Sequence, residues 1–363
     1  MFEKSASPPN SIMISFYPGP SRVHDEIPTW IKEAHKKGIL SMNHRSPEFM
    51  DLYKKTVKLL RKKLDMPDDY AVYFTSSATE CWEMIAQSLI TSKSIHLHNG
   101  AFGEKWFDYT RKLRPGAVSI PFEIDQVLKM SELIFPDGEV ICVTQNETSN
   151  GTQVAASVID TIKKNNPDHL VAVDATSSMA GVVLRFETAD IWFASVQKCF
   201  GLPAGLGIMI CSPEAVKKME AVGEAGHYNS LTLVHSMMEK WQTSCTPNVM
   251  GIYLLKSALK KMDRIDVTEK KLSKRLKKWN AFFSKSKNLK PLVTSPAIQS
   301  KTVLAVTGNP KLIETVKAAA KKKGLLLGEG YGKMKAETFR IANFPALKGK
   351  EINKLMEFLK RYI

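Results

Sequence analysis

Seven short apolar segments lie between residues 71 and 211, and each has the length of a buried strand. They are AVYF from 71, SIHLH from 94, AVSIP from 117, EVICVT from 139, HLVAVD from 169, DIWFAS from 190 and GIMIC from 207. Stretches with helical spacing of apolar residues separate several of them, at 79–92, 103–114 and 155–165. Such alternation is typical of a mostly parallel sheet with helices on both faces. We therefore predict an α/β domain built on a seven-stranded sheet.

The pattern changes after Pro247, where a second, smaller α+β domain is predicted. A long amphipathic stretch runs from Gly251 to about Lys287, followed by TVLAVT, a helix at 310–323, LLLGEG, TFRIAN and a closing helix from Lys350. Single cores rarely exceed about 250–300 residues, so a chain of 363 residues suits two domains. We place an N-terminal segment that packs with the small domain at 1–20, the large domain at 21–250 and the small domain at 251–363.

Composition places the chain among globular proteins, since 44% of its residues are hydrophobic and no apolar run reaches the roughly 20 residues of a membrane helix. The first residues, MFEKSASPPNS, lack the apolar stretch of a signal peptide, so we expect a cytoplasmic protein without a membrane partner. Five scattered cysteines, never at C-x-x-C spacing, predict neither disulfides nor a metal site.

The formal net charge is +16, from 52 Lys and Arg against 36 Asp and Glu, and basic residues are concentrated after about residue 255. Such an excess can serve nucleic acid. The most basic segment, KKLSKRLKK at 270–278, also places Leu272, Leu276, Trp279 and Phe282 at helical spacing, with lysines between them. That spacing favours a solvated helix face over a nucleic-acid site.

Two candidate catalytic side chains directly follow predicted parallel strands. Asp174 ends HLVAVD, and Lys198 comes three residues after DIWFAS, ahead of a loop with three glycines. Ligands of open parallel sheets bind outside the carboxyl ends of the strands. A lone lysine is usually a surface residue and a lone aspartate often caps a turn. Their joint position nevertheless favours a shared site.

Small polar residues at two further strand ends complete a possible cofactor site. Residues 75–79, TSSAT, precede a helix that begins near Glu80, and backbone N–H groups there suit a phosphate, although an ordinary N-cap gives the same pattern. Asn146-Glu147-Thr148 follows EVICVT, and Phe102 could stack on a flat ring or simply belong to the core. A lysine, an acid and a phosphate cup are the groups that pyridoxal-phosphate chemistry requires.

Together these segments resemble the class V aminotransferases of fold type I, and among them the phosphoserine aminotransferase group, over nearly the whole chain. The residues that carry the resemblance are Tyr17-Pro18-Gly19-Pro20, the run 43–49, Asn146-Glu147-Thr148 with Gly151, the run 174–178, the run 194–198 with 201–205, and Thr246-Pro247 ahead of Ile252-Tyr253. The resemblance implies a pyridoxal-phosphate enzyme with ping-pong kinetics.

The resemblance also implies a role for each site residue. Lys198 would form the Schiff base, Asp174 would face the pyridine nitrogen and Thr148 would bind the ring hydroxyl. The ring would stack on Phe102, where phosphoserine aminotransferases usually have Trp. The residues expected at the phosphate are Ser77, Ala78, Thr79, Gln197 and, from the neighbouring subunit of a homodimer with a shared active site, Thr246. For the substrate, Arg340 would bind the α-carboxylate, and His44 with Arg45 would bind the distal anionic group.

Four hypotheses follow for the activity. The first is transfer of the amino group from phosphoserine to 2-oxoglutarate in serine synthesis. The second is a class V transaminase with serine or alanine as donor and glyoxylate or pyruvate as acceptor, because 76–80 (SSATE) replaces a glycine-rich cup and Glu80 would repel a phosphate if it pointed inward. A cysteine desulfurase is disfavoured because no cysteine follows Cys245, and a basic nucleic-acid-binding protein lacks a recognition motif.

Overall fold

The computed structural model describes residues 13–129, 131 and 133–363, and the start of the predicted N-terminal segment lies outside that range. The strands are, in chain order, β1 (Ile14–Phe16), β2 (Ala71–Thr75), β3 (Lys93–His98), β4 (Gly116–Pro121), β5 (Val140–Thr144), β6 (Asn146–Glu147), β7 (Thr152–Gln153), β8 (Leu170–Asp174), β9 (Ile191–Ser195), β10 (Gly207–Cys211), β11 (Lys290–Pro291), β12 (Val303–Thr307), β13 (Leu325–Glu329) and β14 (Thr338–Ala342). The helices are α1 (Ile27–Lys36), α2 (Pro47–Leu64), α3 (Ala78–Ser88), α4 (Ala101–Leu113), α5 (Ala156–Asn165), α6 (Pro213–Val222), α7 (Leu231–Met238), α8 (Val249–Lys261), α9 (Ile265–Phe283), α10 (Pro310–Lys322) and α11 (Gly349–Leu359).

The central sheet has seven strands in the order β2-β10-β9-β8-β5-β3-β4, and these are the seven segments predicted from the sequence. Six strands run in one direction, and β10 alone is antiparallel to its neighbours β2 and β9. The predicted α/β fold, mostly parallel and seven-stranded, is confirmed. Because parallel strands place their carboxyl ends at one edge, the loops after β2, β5, β8 and β9 meet there.

Alternate residues of the strands belong to two different hydrophobic cores, one on each face of the sheet. In β5, Ile141 and Val143 pack in one core, while Val140 and Cys142 pack in the other, where α3, α4, α6 and α7 contribute side chains. The period of two follows from the pleat of a strand. Burial on both faces explains why these segments read as continuous apolar runs.

A second sheet has five strands in the order β1-β13-β14-β12-β11. Its edge strand β1 comes from the N-terminal part of the chain and pairs in parallel with β13. A strand from the start of the chain thus belongs to the sheet that the last third of the chain forms. The domain boundaries at 20 and 250 stay a prediction.

The amphipathic stretch predicted from Gly251 to Lys287 is two helices, α8 and α9, rather than one. The helix breaks at residues 262–264, where Met262 adopts an extended backbone conformation and ends α8. In α9, Leu272 and Trp279 are buried, whereas all five of its lysines are exposed. The basic segment is therefore one face of an amphipathic helix, as its spacing predicts.

From the sequence we expected neither a membrane-spanning helix nor a metal site. Among the residues that the structure describes, no helix has both the length and the apolar character needed to cross a membrane. The same residues contain no cluster of three or more His, Cys, Asp or Glu side chains arranged to hold a metal ion.

Candidate active site

A cavity of about 350 Å³ lies at the carboxyl edge of the central sheet. Most residues predicted for the site line this one cavity: Ala78, Thr79, Phe102, Thr148, Asp174, Gln197, Lys198 and Arg340. They come from both sheets and from several different segments after strands. The fold therefore brings together side chains that lie far apart in the sequence.

Lys198 extends its buried side chain into this cavity. Its Nζ donates hydrogen bonds to the hydroxyls of Thr148 and Ser177, both at 2.9 Å, and lies 5.1 Å from the centre of the Phe102 ring. Burial lowers the pKa of Lys198 to about 8, although nearby carboxylates oppose this shift. The neutral amine of Lys198 is therefore populated at a lower pH than that of an ordinary lysine.

Gly19 packs directly against the Lys198 side chain. Its φ of +150° suits glycine, and a Cβ there would lie 2.8 Å from Lys198 Cε. A side chain at position 19 would displace the lysine. The Tyr17-Pro18-Gly19-Pro20 segment thus forms a wall of the cavity.

Asp174 is the last residue of β8 and is buried. Its Oδ2 accepts a hydrogen bond from Trp82 Nε1 at 3.1 Å, and its Oδ1 accepts one from the Thr176 backbone N–H at 2.9 Å. Burial raises the pKa of Asp174, whereas these hydrogen bonds and the charge of Lys198 lower it. The carboxylate is held by fixed donors and faces a cavity that also contains a cation.

The predicted phosphate cup lies at the N-terminus of α3. Ser77 is the N-cap and accepts from the Glu80 N–H at 3.1 Å, while the Ala78 N–H donates to Ser195 Oγ at 2.7 Å. Gln197 Oε1 is buried without a hydrogen-bond partner among the described residues. Buried polar atoms are rarely left unpaired, so this atom indicates a ligand or water in the cavity.

Glu80 does not line this cavity. Its Oε2 accepts from the Ser76 N–H and hydroxyl at 2.6 and 2.7 Å, and its Oε1 accepts from the Tyr228 hydroxyl at 2.9 Å. These contacts hold the carboxylate at a second, smaller cavity of about 160 Å³. The repulsion of a phosphorylated substrate considered from the sequence therefore has no basis in this arrangement.

Phe102 is held in place by a buried carboxylate. Glu147 accepts from the backbone N–H groups of Phe102 and Gly103, both at 3.2 Å, and from the N–H and hydroxyl of Ser149. It thereby caps the N-terminus of α4, where a negative charge is favoured. Gly100 permits this approach, since a Cβ there would lie 2.4 Å from Glu147 Cγ.

Arg340, in β14, reaches the cavity from the smaller sheet. Its Nε and Nη1 donate to the backbone carbonyls of Glu329 and Thr148 at 2.7 and 2.9 Å, and its guanidinium lies 5.4 Å from the Tyr331 ring centre. Burial lowers the pKa of Arg340, but a guanidinium stays charged in proteins. No carboxylate among the described residues forms an ion pair with it.

Four predicted residues lie elsewhere in this chain. Ser77 is adjacent to the cavity as the N-cap of α3, whereas Thr246 lines the smaller cavity. His44 and Arg45 line neither, and Arg45 Nη1 donates to Gln242 Oε1 at 2.8 Å. The chain alone therefore does not bring the predicted distal-anion pair to Lys198.

Sequence reasoning missed several side chains of the site. Trp82 binds Asp174, Ser177 binds Lys198, and Lys105 and Tyr331 line the cavity. Ser177 belongs to the run 174–178, which carries part of the family resemblance, so its position in that run could have indicated a role in the site. Trp82 and Lys105 lie about one turn after the start of α3 and α4. The rotation of a helix about its axis decides which of its side chains face the edge of the sheet, and the sequence pattern does not specify that rotation.

Comparison with known proteins places the chain in a family. The model of the family described as aminotransferase class-V matches residues 18–330, so the chain belongs to the class-V aminotransferases. The resemblance stated from the sequence is confirmed, and the chain is that of a pyridoxal-phosphate-dependent transaminase. Its substrates are accordingly an amino acid and a keto acid.

Within the family, the similarity extends to phosphoserine aminotransferases. The phosphoserine aminotransferase of Rhodococcus opacus (strain B4) is 26% identical over 349 residues, which are 93% of this chain and 91% of that protein. The crystal structure of a phosphoserine aminotransferase from Cytophaga hutchinsonii is 32% identical, with a TM-score of 0.92 over 97% of this chain and 99% of that one. An aspartate aminotransferase from Thermus thermophilus, 19% identical with a TM-score of 0.84 over 96% and 99%, shares the fold.

The cavity fits pyridoxal phosphate. It combines a buried lysine amine, a buried carboxylate, an aromatic ring beside the amine and the N-terminus of α3, whose Ala78 and Thr79 line the cavity. When bound, the cofactor withdraws electrons from the α-carbon of the amino acid. We propose that Lys198, Asp174, Thr148 and Phe102 hold its ring, and that the N-terminus of α3 with Gln197 holds its phosphate.

The pKa of Lys198 predicts how fast cofactor-free protein binds pyridoxal phosphate at each pH. Only the neutral amine attacks an aldehyde, and its fraction falls about tenfold per pH unit below the pKa. Because that pKa is lowered to about 8, the rate of appearance of the cofactor absorption band should rise up to about pH 8 and then level off. Lys198→Ala should give no band. A rate that still climbs about tenfold per unit above about pH 9 would contradict the lowered pKa.

Replacing Glu147 should loosen the segment that carries Phe102. Glu147→Gln leaves one acceptor oxygen and places an amide N–H₂ against N–H donors. Each buried donor left unpaired lowers the free energy of unfolding by about 1–3 kcal/mol. We expect a lower free energy of unfolding and weaker cofactor binding, measured by denaturant titration and absorbance. Glu104→Gln, exposed on the same helix, is the control and should stay within about 0.5 kcal/mol. Equal effects of the two substitutions would rule out this role of Glu147.

Proposed function

We propose that the protein transfers the amino group of O-phospho-L-serine to 2-oxoglutarate, in the synthesis of L-serine. The observation that supports this most is the charge of the cavity. Among the described residues, its lining contains two cations besides the cofactor lysine Lys198, namely Lys105 and Arg340, but a single carboxylate, Asp174. A cavity with excess positive charge favours substrates with two anionic groups, as phosphoserine, glutamate and 2-oxoglutarate are. The similarity to phosphoserine aminotransferases over most of the chain supports the same substrates.

The residues of the chain divide the reaction between binding and proton transfer. Arg340 uses two donors for backbone carbonyls, and its remaining N–H groups bind the substrate α-carboxylate. Lys198, whose pKa is lowered to about 8, accepts the proton of the α-carbon at Nζ in its neutral form. Thr148 and Ser177 hold that amine between proton transfers. The Asp174 carboxylate stabilises positive charge on the pyridine nitrogen.

We propose further that the enzyme is a homodimer with a shared active site. Thr246, His44 and Arg45 lie outside the main cavity of their own chain. In the dimer, Thr246 would reach the cofactor phosphate of the neighbouring subunit, and His44 with Arg45 would reach the distal group of its substrate. Closed twofold assembly is the commonest arrangement of soluble oligomers.

A second candidate function is transamination between serine or alanine and glyoxylate or pyruvate. It is favoured by the sequence 76–80, SSATE, in place of the glycine-rich cup usual in phosphoserine aminotransferases. The position of Glu80 weakens this candidate, because its carboxylate is held by Ser76 and Tyr228 and does not face the substrate.

The donor preference decides between the two candidates. Phosphoserine, glutamate, serine and alanine are added separately to the cofactor-loaded protein, and the loss of the cofactor band is followed. We expect phosphoserine and glutamate to react with kcat/KM about a hundredfold above serine and alanine, because the latter leave a cation of the cavity unpaired. Lys198→Ala controls for direct reaction with free cofactor. Reaction with serine or alanine alone would establish the second candidate instead.

Mixing two variants that each have little activity alone tests the shared site. A heterodimer has one subunit with Lys198→Ala and one with Arg45→Ala. One of its two sites then combines the intact Lys198 of one subunit with the intact Arg45 of the other. Random reassociation should therefore restore about a quarter of wild-type activity if each dimer carries two sites. Mixing Lys198→Ala with Asp174→Ala, both on the same side of the site, is the control without recovery. Equal activity of both mixtures would exclude a shared site.

A further inference from the structure

Lys105 stands at the mouth of the cavity between two aromatic side chains. It lies one turn after Phe102 on α4, so both side chains face the same way. Its Nζ donates to the Tyr331 hydroxyl at 2.5 Å and lies 5.8 Å from the Phe102 ring centre and 5.2 Å from the Tyr331 ring centre. The phenol oxygen accepts this hydrogen bond, and no carboxylate among the described residues forms an ion pair with this lysine.

Lys105 and Arg340 both lie close to one aromatic ring. The Arg340 guanidinium carbon lies 5.4 Å from the centre of the Tyr331 ring, and Lys105 Nζ lies 5.2 Å from the same point. The two cations therefore cannot be farther apart than the sum of these distances. With a hydrogen bond of about 3 Å at each end, a short molecule with two anionic groups is therefore long enough to reach both cations.

We propose that Lys105, together with the Tyr331 hydroxyl, binds the distal anionic group of the substrate whose α-carboxylate lies on Arg340. This inference rests on the proposed function and assigns one of its specificity-determining residues. His44 and Arg45 would come from the neighbouring subunit, whereas Lys105 is the distal cation that the chain contributes to its own cavity. Its charge is available because it contacts a hydroxyl and no carboxylate among the described residues forms an ion pair with it.

A purely structural role for the same contact makes a different prediction. Lys105 belongs to α4, and Tyr331 directly precedes a short helical turn, Gly332–Met334, next to the smaller sheet. If the contact only held these two segments together, its loss would weaken the binding of every substrate to the same extent. An anion-binding role instead affects ligands in proportion to the charge at their distal end.

The test uses ligands that bind without reacting. Succinate and butyrate have the same number of carbons, but only succinate has a second carboxylate. Their dissociation constants are measured by titrating the cofactor-loaded protein and following its absorbance. Three variants are compared with wild type: Lys105→Met, Lys105→Arg as the charge-conserving change, and Lys112→Met, which removes an exposed charge from α4 outside the cavity.

We expect wild type to bind succinate more tightly than butyrate. Lys105→Met should raise the dissociation constant of succinate about tenfold to a hundredfold, while that of butyrate changes less than about twofold. Lys105→Arg should recover most of the preference, and Lys112→Met should keep all of it. Equal weakening of both ligands by Lys105→Met, or an unchanged preference, would overturn the proposal.

The same variants separate this inference from the proposed function. If wild type does not react with phosphoserine, the proposed function fails, yet the succinate preference still decides the role of Lys105. If phosphoserine reacts and Lys105→Met leaves its KM unchanged, the inference fails while the proposed function stands. A rise in KM for phosphoserine and glutamate, without a rise for alanine, would support both.

Discussion

The structure of the cavity depends on keeping one lysine amine out of water. Burying an isolated ammonium group is costly, and a protein responds by lowering its pKa or by supplying partners. Lys198 has both, since two hydroxyls accept its hydrogen bonds and Asp174 lies within its electrostatic reach. Its partners come from the loops after β5 and β8, so the parallel order of the strands is what assembles them. Gly19 then closes the wall against the lysine side chain.

A second buried ionisable group, Glu147, acts on the surroundings of Lys198 indirectly, through Phe102. Glu147 caps α4 and so fixes the ring of Phe102 beside the Lys198 amine. From the opposite side, the smaller sheet contributes Arg340, whose guanidinium is aimed by two backbone carbonyls. The cavity thus has walls from both sheets and an excess of positive charge. The basic surface of α9 lies apart from this cavity, and its lysines face solvent.

Much of this arrangement could be predicted from the sequence. Buried parallel strands are continuous apolar runs, which is why all seven were found, and residues at their carboxyl ends, such as Asp174 and Lys198, could be expected to meet. Trp82 and Lys105 were not predicted because they lie inside helices, where a small rotation decides which residues face the cavity. The break between α8 and α9 was also missed, since the amphipathic pattern continues across it. The sequence led us to expect that 1–20 packs with the small domain, but not that β1 pairs with β13, because that pairing depends on contacts far apart in sequence.

The central claim is that Lys198 carries the cofactor. It is tested most directly by reducing the cofactor-loaded protein with borohydride, which converts a lysine–cofactor imine into a stable bond, and by mapping the modified peptide with mass spectrometry. The account predicts a single pyridoxyl group on Lys198. Modification of a different lysine in its place, or stoichiometric cofactor binding without any modified lysine, would contradict it.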